Sequence, residues 1–278
     1  MLHIVEPEKS AMAPGKPKKV NGAQSIERAM TVLRAVAAAG NGGATLSHVV
    51  SSSRLNKATA HRLLTVLTRE GLVQRNDDSK TYFLGEQLYA LGILAAPRYG
   101  LHQLALPGLR RLAAISEDSS FLCLLSGNDV VCVHREEGSH PIRTHVMQAG
   151  LRYPLGVGSF GPVILAAMDD ADVERILTAN RRAIESYEQY SVERVRQFVK
   201  AARVKGYCLN PGLVYPESYG LAVAVLDEHD QPVGALSIGA VASRLQPDRQ
   251  PKLAAALKAE ATALWKQLRS MRAKVAPG

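Results

Sequence analysis

Between Asn56 and Lys80 the sequence gathers cationic and hydrogen-bonding side chains with few acids among them. Lys57, Thr59, His61, Arg62, Thr65 and Arg69 follow closely on Asn56, and the first carboxylate after them is Glu70. Fixed cations neutralise phosphates and release their counterions. Guanidinium, imidazole, amide and hydroxyl groups can hydrogen-bond base edges. An ordinary solvated helix mixes Glu with Lys for its own ion pairs. A stretch without acids instead suits a polyanionic partner. Arg75 and Lys80 lie beyond the run, spaced to reach phosphates beside it.

Other residue sets that could do chemistry do not assemble. Cys132, His134, His140 and His145 lie close in sequence without a metal-ligand spacing such as CxxC or HExxH. Alternation along a strand puts Cys132 and His134 on one face, but a hydrogen-bonded histidine is the commoner outcome. Glu136 and Glu137 are adjacent and cannot face one another, and no GxSxG nucleophile elbow is present. Gly156-Val157-Gly158-Ser159-Phe160-Gly161 spells GxGxxG. A dinucleotide fingerprint needs a strand before it and a helix opening onto the pyrophosphate. Pro154 interrupts the approach, and Pro162 removes an N–H that a phosphate would use. The sequence therefore implies no catalytic residue, no metal and no cofactor.

The elements that position the cationic run follow from its neighbours. Asn56 is a good N-cap, and Ala60, Leu63, Leu64 and Leu67 form an apolar stripe at helical spacing. Gly71 stops this helix. Leu46 to Ser52 reads as a short helix before it. Gln24 to Ala38 reads as a first helix, with Ser25 as N-cap and Ile26, Met30, Leu33 and Ala37 inward. Leu72–Arg75 and Thr81–Leu84 read as two strands joined by the turn residues 76–79. This order is that of a winged helix-turn-helix, which lays its second helix in the DNA major groove.

Downstream, Glu86 to Ala95 is an apolar helix ending near Pro97, whose surface calls for cover by a partner subunit or the second domain. Leu104 to Ile115 is another helix. Residues 119–138 read as a hairpin turning at Gly127, Asn128 and Asp129. Ser191 caps a helix with Val195, Phe198, Val199 and Ala202 inward, closed by Gly206. Residues 221–227 and 232–241 are buried strands, and a long helix runs from Gln250 to Ala273. Helices on one side of a largely antiparallel sheet make an α+β domain.

Composition agrees with two domains. The chain has 278 residues and a formal net charge of +9. Residues 1–80 hold 12 Lys and Arg against 6 Asp and Glu, a net +6. The remaining 198 residues hold 22 against 19, a net +3. Lys9, Lys16, Lys18 and Lys19 sit in a proline-containing stretch with the composition of a disordered tail. No apolar run has transmembrane length and no signal-peptide core is present. Cys123, Cys132 and Cys208 lie in apolar runs, which points to reduced thiols and the cytoplasm.

The segments SIERAMTVL, KATAHRLLTVL, EGLV and YFLGEQLYALG resemble the winged-helix domain of the IclR-type bacterial transcription regulators. LRYPLGVGSFGPVILAAM and VRQFVKAARVKGYCLN resemble parts of that family's effector domain. The resemblance covers nearly all of the chain after Gly22. It implies a disordered tail over 1–21, a winged helix-turn-helix over 22–85, a linker helix over 86–102, and a GAF-like effector-binding and oligomerisation domain over 103–278. It implies a double-stranded DNA operator, a small-molecule effector, and a homodimer or homotetramer. The DNA-facing set would be Asn56, Lys57, Thr59, His61, Arg62, Thr65, Arg69, Arg75 and Lys80. The effector set would be Ser159, Phe160, Asn210, Leu221, Ser237 and Gly239, with the helix near Pro162 directing N–H groups at a carboxylate. Asn210 stands where the family often has an acid, Leu213 where a second is usual, and Gly239 where a serine is usual. Phe160 is bulkier than the family's residue, so an aromatic or longer organic acid fits better than a two-carbon acid. The alternative reading is a nucleic-acid-binding or architectural protein whose second domain only oligomerises.

Overall fold

The computed structural model describes residues 23–99, 101–142 and 147–275. The tail expected over 1–21 and His145 lie outside the described residues. The chain divides into two compact units, one extending to Leu106 and the other starting at Pro107.

The first unit opens with helices α1 (Gln24–Ala38), α2 (Leu46–Ser53) and α3 (Lys57–Arg69). Thr45 caps α2 through a hydrogen bond from the His48 N–H, 3.2 Å. Asn56 caps α3 in the same way, its Oδ1 accepting from the Thr59 N–H at 2.8 Å. At the other end of α3, the Gly71 N–H donates to the Thr68 carbonyl and the Leu72 N–H to the Leu67 carbonyl. That pair of hydrogen bonds closes the helix in a Schellman motif, and Gly71 takes the left-handed φ of +67° that the motif requires. Val32, Val36, Val49, Ala60 and Leu64 form the shared core of the three helices.

Strands β1 (Val73–Asn76) and β2 (Thr81–Leu84) make the antiparallel wing. Asn76 Oδ1 accepts from the N–H groups of Asp78 and Ser79 and so folds the turn. Ala44 and Tyr82 exchange backbone hydrogen bonds of 2.8 Å, which ties the wing to the segment before α2. Helix α4 (Glu86–Tyr99) follows at once.

Three expectations fail here. Ser25 does not cap α1; the N-cap is Ala23, without a side-chain bond, and Ser25 lies in the first turn. The inner face of α1 is Val32, Leu33, Ala35 and Val36, while Ile26 is 68% exposed and Met30 41%. Among the described residues, α2, α3 and β2 pack mainly on the second half of α1, and of its first half Ala29 reaches the core while Ile26 does not. Helix α4 also runs through Pro97 to Tyr99. A proline removes one N–H, yet its own φ suits a helix.

The second unit starts within α5 (Leu101–Ser116). Then come β3 (Ser119–Ser126), β4 (Asp129–Glu136), β5 (Arg152–Pro154), α6 (Phe160–Ala166), α7 (Asp170–Ile184) and α8 (Val192–Lys205). Strands β6 (Cys208–Pro211), β7 (Ser218–Leu226) and β8 (Pro232–Val241) and helix α9 (Gln250–Val275) complete it. The six strands form one sheet in the order β5-β4-β3-β8-β7-β6, antiparallel at each step.

Helices cover both faces of this sheet, not one as the pattern suggested. Phe121, Cys123, Ala222 and Ala235 share a core with Val163 and Ile164 of α6, Ile176 and Leu177 of α7, and Val195 and Val199 of α8. The opposite face carries Leu122, Leu221, Val223, Val225, Leu236 and Ile238. There α9 packs on β7 and β8, and Ser120 donates to the Leu109 carbonyl of α5 at 2.8 Å. A clamp fixes the start of β3: Arg244 and Arg249 hold the buried Asp118 carboxylate at 2.8 and 2.9 Å. Both arginines also donate to the Ser116 carbonyl at the end of α5.

Candidate functional site

Helix α3 presents Lys57, His61, Arg62, Thr65 and Arg69 outward, all exposed. Thr59 is half-buried and its N–H is engaged by the cap. Lys57, His61 and Thr65 follow i, i+4, i+8 and make one row, and the Thr65 hydroxyl donates to the His61 carbonyl at 3.0 Å. Arg62 and Arg69 make a second row, two turns apart. Arg69 is turned onto Glu70 by two hydrogen bonds, 3.1 and 3.0 Å. On the wing, Arg75 is ion-paired with Asp77 at 3.3 Å and lies 6.0 Å from the centre of the Tyr82 ring. Lys80 is exposed at the wing's turn with φ +53°. The nine residues thus fall on one continuous stretch of a single unit. Four of them, Asn56, Thr65, Arg69 and Arg75, already have their side chains engaged within the protein.

In the second unit, a small cavity that opens to solvent lies on the α6 face of the sheet. Ser159, Phe160, Asn210, Ser237 and Gly239 all line it. The register explains this. Ser119, Gly239, Gly220 and Asn210 form one row across β3, β8, β7 and β6. Phe121, Ser237, Ala222 and Cys208 form the next row on the same face. The two central glycines leave the floor bare. Ser159 closes over it: a Cβ on Gly220 would come within 2.9 Å of the Ser159 hydroxyl.

Leu221 is not part of this cavity. It is fully buried and pairs with Ile238 and Leu209. Side chains alternate between faces along a strand, so the residue after Gly220 points to the α9 side. The reading also missed Phe121, Met147, Tyr153, Val214, Tyr215, Ser218, Tyr219 and Gly220, which line the cavity as well. They come from four separate stretches of chain, and only the strand pairing brings them together.

The helix expected near Pro162 begins at Phe160, with Pro162 in its first turn, where a missing N–H costs no helical bond. Just before it, the Gly158 N–H donates to the Tyr190 hydroxyl at 2.9 Å and the Val157 N–H to the Pro154 carbonyl at 3.0 Å. Asn210 Oδ1 accepts from the Leu213 N–H at 2.9 Å, which turns the amide nitrogen into the group available to a ligand. Among the described residues, the cavity lining includes no Lys, Arg, His, Asp or Glu. Its polar groups are neutral hydroxyls and one amide.

An aromatic cluster backs the cavity. Tyr153 lies 5.7 Å from the Phe160 ring and 6.3 Å from Tyr187, which stands 6.0 Å from Tyr190. Burial pushes the Tyr187 phenol up to about 12. Burial, then the neighbouring Tyr215, raises Tyr153 further. Burial also raises Tyr190, against the opposing pull of the Gly158 N–H. These phenols remain neutral donors at physiological pH.

Comparison with known proteins places both units. Residues 25–77 match the IclR helix-turn-helix domain model, and residues 94–265 match that of the bacterial transcriptional regulator IclR C-terminal domain. A glycerol operon regulatory protein of Streptomyces coelicolor is 31% identical over 247 residues, 88% of this chain and 96% of that protein. An IclR transcriptional regulator from Alicyclobacillus acidocaldarius superposes with a TM-score of 0.73 at 25% identity, covering 87% of this chain and 98% of the other. An IclR homologue from Microbacterium hydrocarbonoxydans, solved with 4-hydroxybenzoate, shares the fold with a TM-score of 0.71 at 22% identity, over 88% and 99% of the two chains. The family models and the Streptomyces relative describe regulators of transcription, not enzymes.

The tyrosine cluster sets an alkaline limit. Unfolded phenols ionise at about pH 10, and the buried ones resist ionisation well beyond it. Their contribution to stability is therefore full below pH 10 and is lost as pH rises through 10 to 12 and above. Phenolate absorbance of the native protein should account for fewer than its nine tyrosines near pH 11, where free phenols are almost fully ionised, and the denaturant midpoint should fall between pH 10 and 12. Ionisation of nearly all nine near pH 11 with native circular dichroism would show a solvated cluster.

Proposed function

Because the chain belongs to the IclR family of bacterial transcriptional regulators, we propose that it reads its operator through α3 and the wing, as a homo-oligomer, under control of a small organic acid or aromatic metabolite held in the cavity. The protein is a DNA-binding transcriptional regulator. The observation that carries the finer reading is the acid-free exposed surface of α3 in one unit joined to a built, uncharged cavity in the other. A module that only oligomerised would gain nothing from an open floor of two glycines beneath a folded loop.

Lys57 and the α3 start, with Thr59, His61, Arg62 and Thr65, are the base-edge set. Arg69, Arg75 and Lys80 are the phosphate set, the first two exchanging Glu70 and Asp77 for phosphates on binding. The ligand's apolar body would rest on Phe160 and Phe121, with Ser159, Asn210 and Ser237 as neutral donors. An aromatic acid, the kind of molecule bound to the Microbacterium homologue, suits that lining. This reading puts the protein in the bacterial cytoplasm, where its three buried thiols stay reduced. Among the described residues, no helix is long and apolar enough to cross a membrane.

The operator arm is tested by fluorescence anisotropy with promoter DNA from the protein's own gene neighbourhood. Arg62→Ala should cost about 1–3 kcal/mol on the operator and much less on unrelated DNA. Lys80→Ala should weaken both alike and flatten the salt dependence. Equal operator affinity for wild type and Arg62→Ala would remove α3 from the groove.

The assembly arm rests on α4, whose Tyr89, Leu91, Ile93 and Leu94 are 75, 55, 52 and 79% exposed. Two readers at fixed spacing need an interface, and exposed apolar clusters of this kind mark one. Leu91→Glu should lower the oligomeric state in light scattering and abolish cooperative operator binding. An unchanged oligomer would move the interface elsewhere.

For the ligand arm, calorimetric titration with 4-hydroxybenzoate and related acids should give binding that Ser237→Ala weakens by about 1 kcal/mol. Phe160→Ala should broaden the set of acids accepted. Binding undiminished in a Ser159/Asn210/Ser237 triple alanine variant would put the ligand outside this cavity.

A further inference from the structure

The sheet of the second unit ends unevenly. Strand β7 has nine residues and β6 has four. β6 covers β7 from Tyr219 to Ala222, and β7 then runs on from Val223 to Leu226 paired with β8. Among the described residues, no strand pairs with the other edge of that stretch. Backbone groups alternate in direction along a strand, so two of the four residues present an N–H and a C=O there. Such an edge is a template for another strand. It is also recessed. Ala166, Ala202 and Gly206 of the α6 and α8 layer form one wall, and Ala261 and Trp265 of α9 form the other. Between these walls, in the plane of the sheet, lies a slot where a longer β6 would run.

We propose that this slot docks the leading segment of the chain, Leu2-His3-Ile4-Val5, as a further strand antiparallel to β7. Residues 1–22 lie outside the described residues, and within them this is the one run of apolar and β-branched residues of strand length. Its four residues match the four of the open edge, and Pro7, which cannot donate to a ladder, closes it. Walls of small residues accept Leu, Ile and Val side chains, which point to alternate sides, while main-chain bonds to the edge supply affinity. Charge sets the direction. Lys258 lies against Gly206 and donates to the Lys205 carbonyl at 2.8 Å. The ammonium groups of Lys205 and Lys258 stand 6.0 and 5.9 Å from the centre of the Tyr207 ring, beside the Val223 end of the slot. Asp230 lines the slot beyond the Leu226 end. An antiparallel strand brings Glu6 to the two lysines, and a parallel one would bring it to Asp230. Residues 6–22 extend to roughly 60 Å at most, more than the roughly 40 Å diameter of a globule of the second unit's size.

Trp265 is the chain's one tryptophan and stands in the slot wall, so its fluorescence reads the slot directly. Relative to the full chain, a variant lacking residues 2–6 should emit further to the red and be quenched more by acrylamide. Hydrogen exchange should accelerate roughly tenfold or more at two alternate amides of Val223–Leu226, while the amides that face β8 stay as they were. Ile4→Asp should reproduce both changes, and Glu6→Lys should give part of them. A synthetic Leu-His-Ile-Val-Glu peptide added to the deletion variant should reverse them. The proposal is overturned if those two amides exchange alike with and without residues 2–6. Fast exchange in both would leave the edge unpaired, and slow exchange in both would give it to another occupant, such as a second copy of the chain. Unchanged Trp265 emission on deletion, or a peptide that restores neither signal, also overturns it. None of these measurements involves operator DNA or effector, so their outcome stands apart from the function proposed above.

Discussion

A strand buried on both faces cannot advertise its faces by polarity, so size has to do it, and the second unit is built on that constraint. Along the middle of β7 and β8 most residues facing α9 are large, Leu221, Val223, Val225, Leu236 and Ile238, with Gly234 and Ala240 the small ones among them. Those facing α6 are small: Gly220, Ala222, Ala224, Ala235, Ser237 and Gly239. One face is filled by its own side chains and closes against a helix. The other leaves volume beneath α6, and α7 and α8 fill only part of it with their own aliphatic residues. The cavity is what remains. Its chemistry follows, because the small residues that can stand there and still pair are glycine, alanine and serine, none of them charged.

The first unit obeys a different rule. It is short, and its reading surface is held by backbone geometry at both ends of one helix. Asn56 fixes the start of α3 and the Gly71 closure fixes its end, so the exposed rows are aimed by two caps and the stripe of Ala60, Leu64 and Leu67 between them. The wing begins two residues after Gly71 and is tied back at Ala44. Arg69 is paired with Glu70 and Arg75 with Asp77. Both pairs are solvent-exposed and therefore weak, which leaves those arginines exchangeable.

This contrast decides what was legible in the sequence. Caps, glycine stops and helical stripes are local, and Asn56, Ser191, Gly71 and Gly206 announce their elements directly. The wing, the hairpin of β3 and β4 and the long C-terminal helix were legible for the same reason. The first half of α1 was misread because periodicity shows a stripe but not whether anything lies against it. Leu221 was assigned to the cavity because a resemblance by position does not resolve a shift of one residue, and one residue turns a side chain to the other face. Both faces of the sheet being covered was also hidden, since two apolar helices at opposite ends of the unit, α5 and α9, give no sign of which side they share. Tyr153, Tyr215 and Tyr219 reach the cavity only through pairings between distant strands.

The division of the sheet into a large face and a small face separates two kinds of change. Residues on the α9 side carry the packing of the unit, and altering them alters whether it folds. Ser237 lines the cavity and carries little of that packing, so altering it changes the chemistry of the cavity more than the fold. Gly220 stands apart, because Ser159 lies against the place a side chain would take. The scaffold can thus acquire a new chemical signal by single substitutions on one side of two strands while the other side, and the DNA-reading unit, stay as they are.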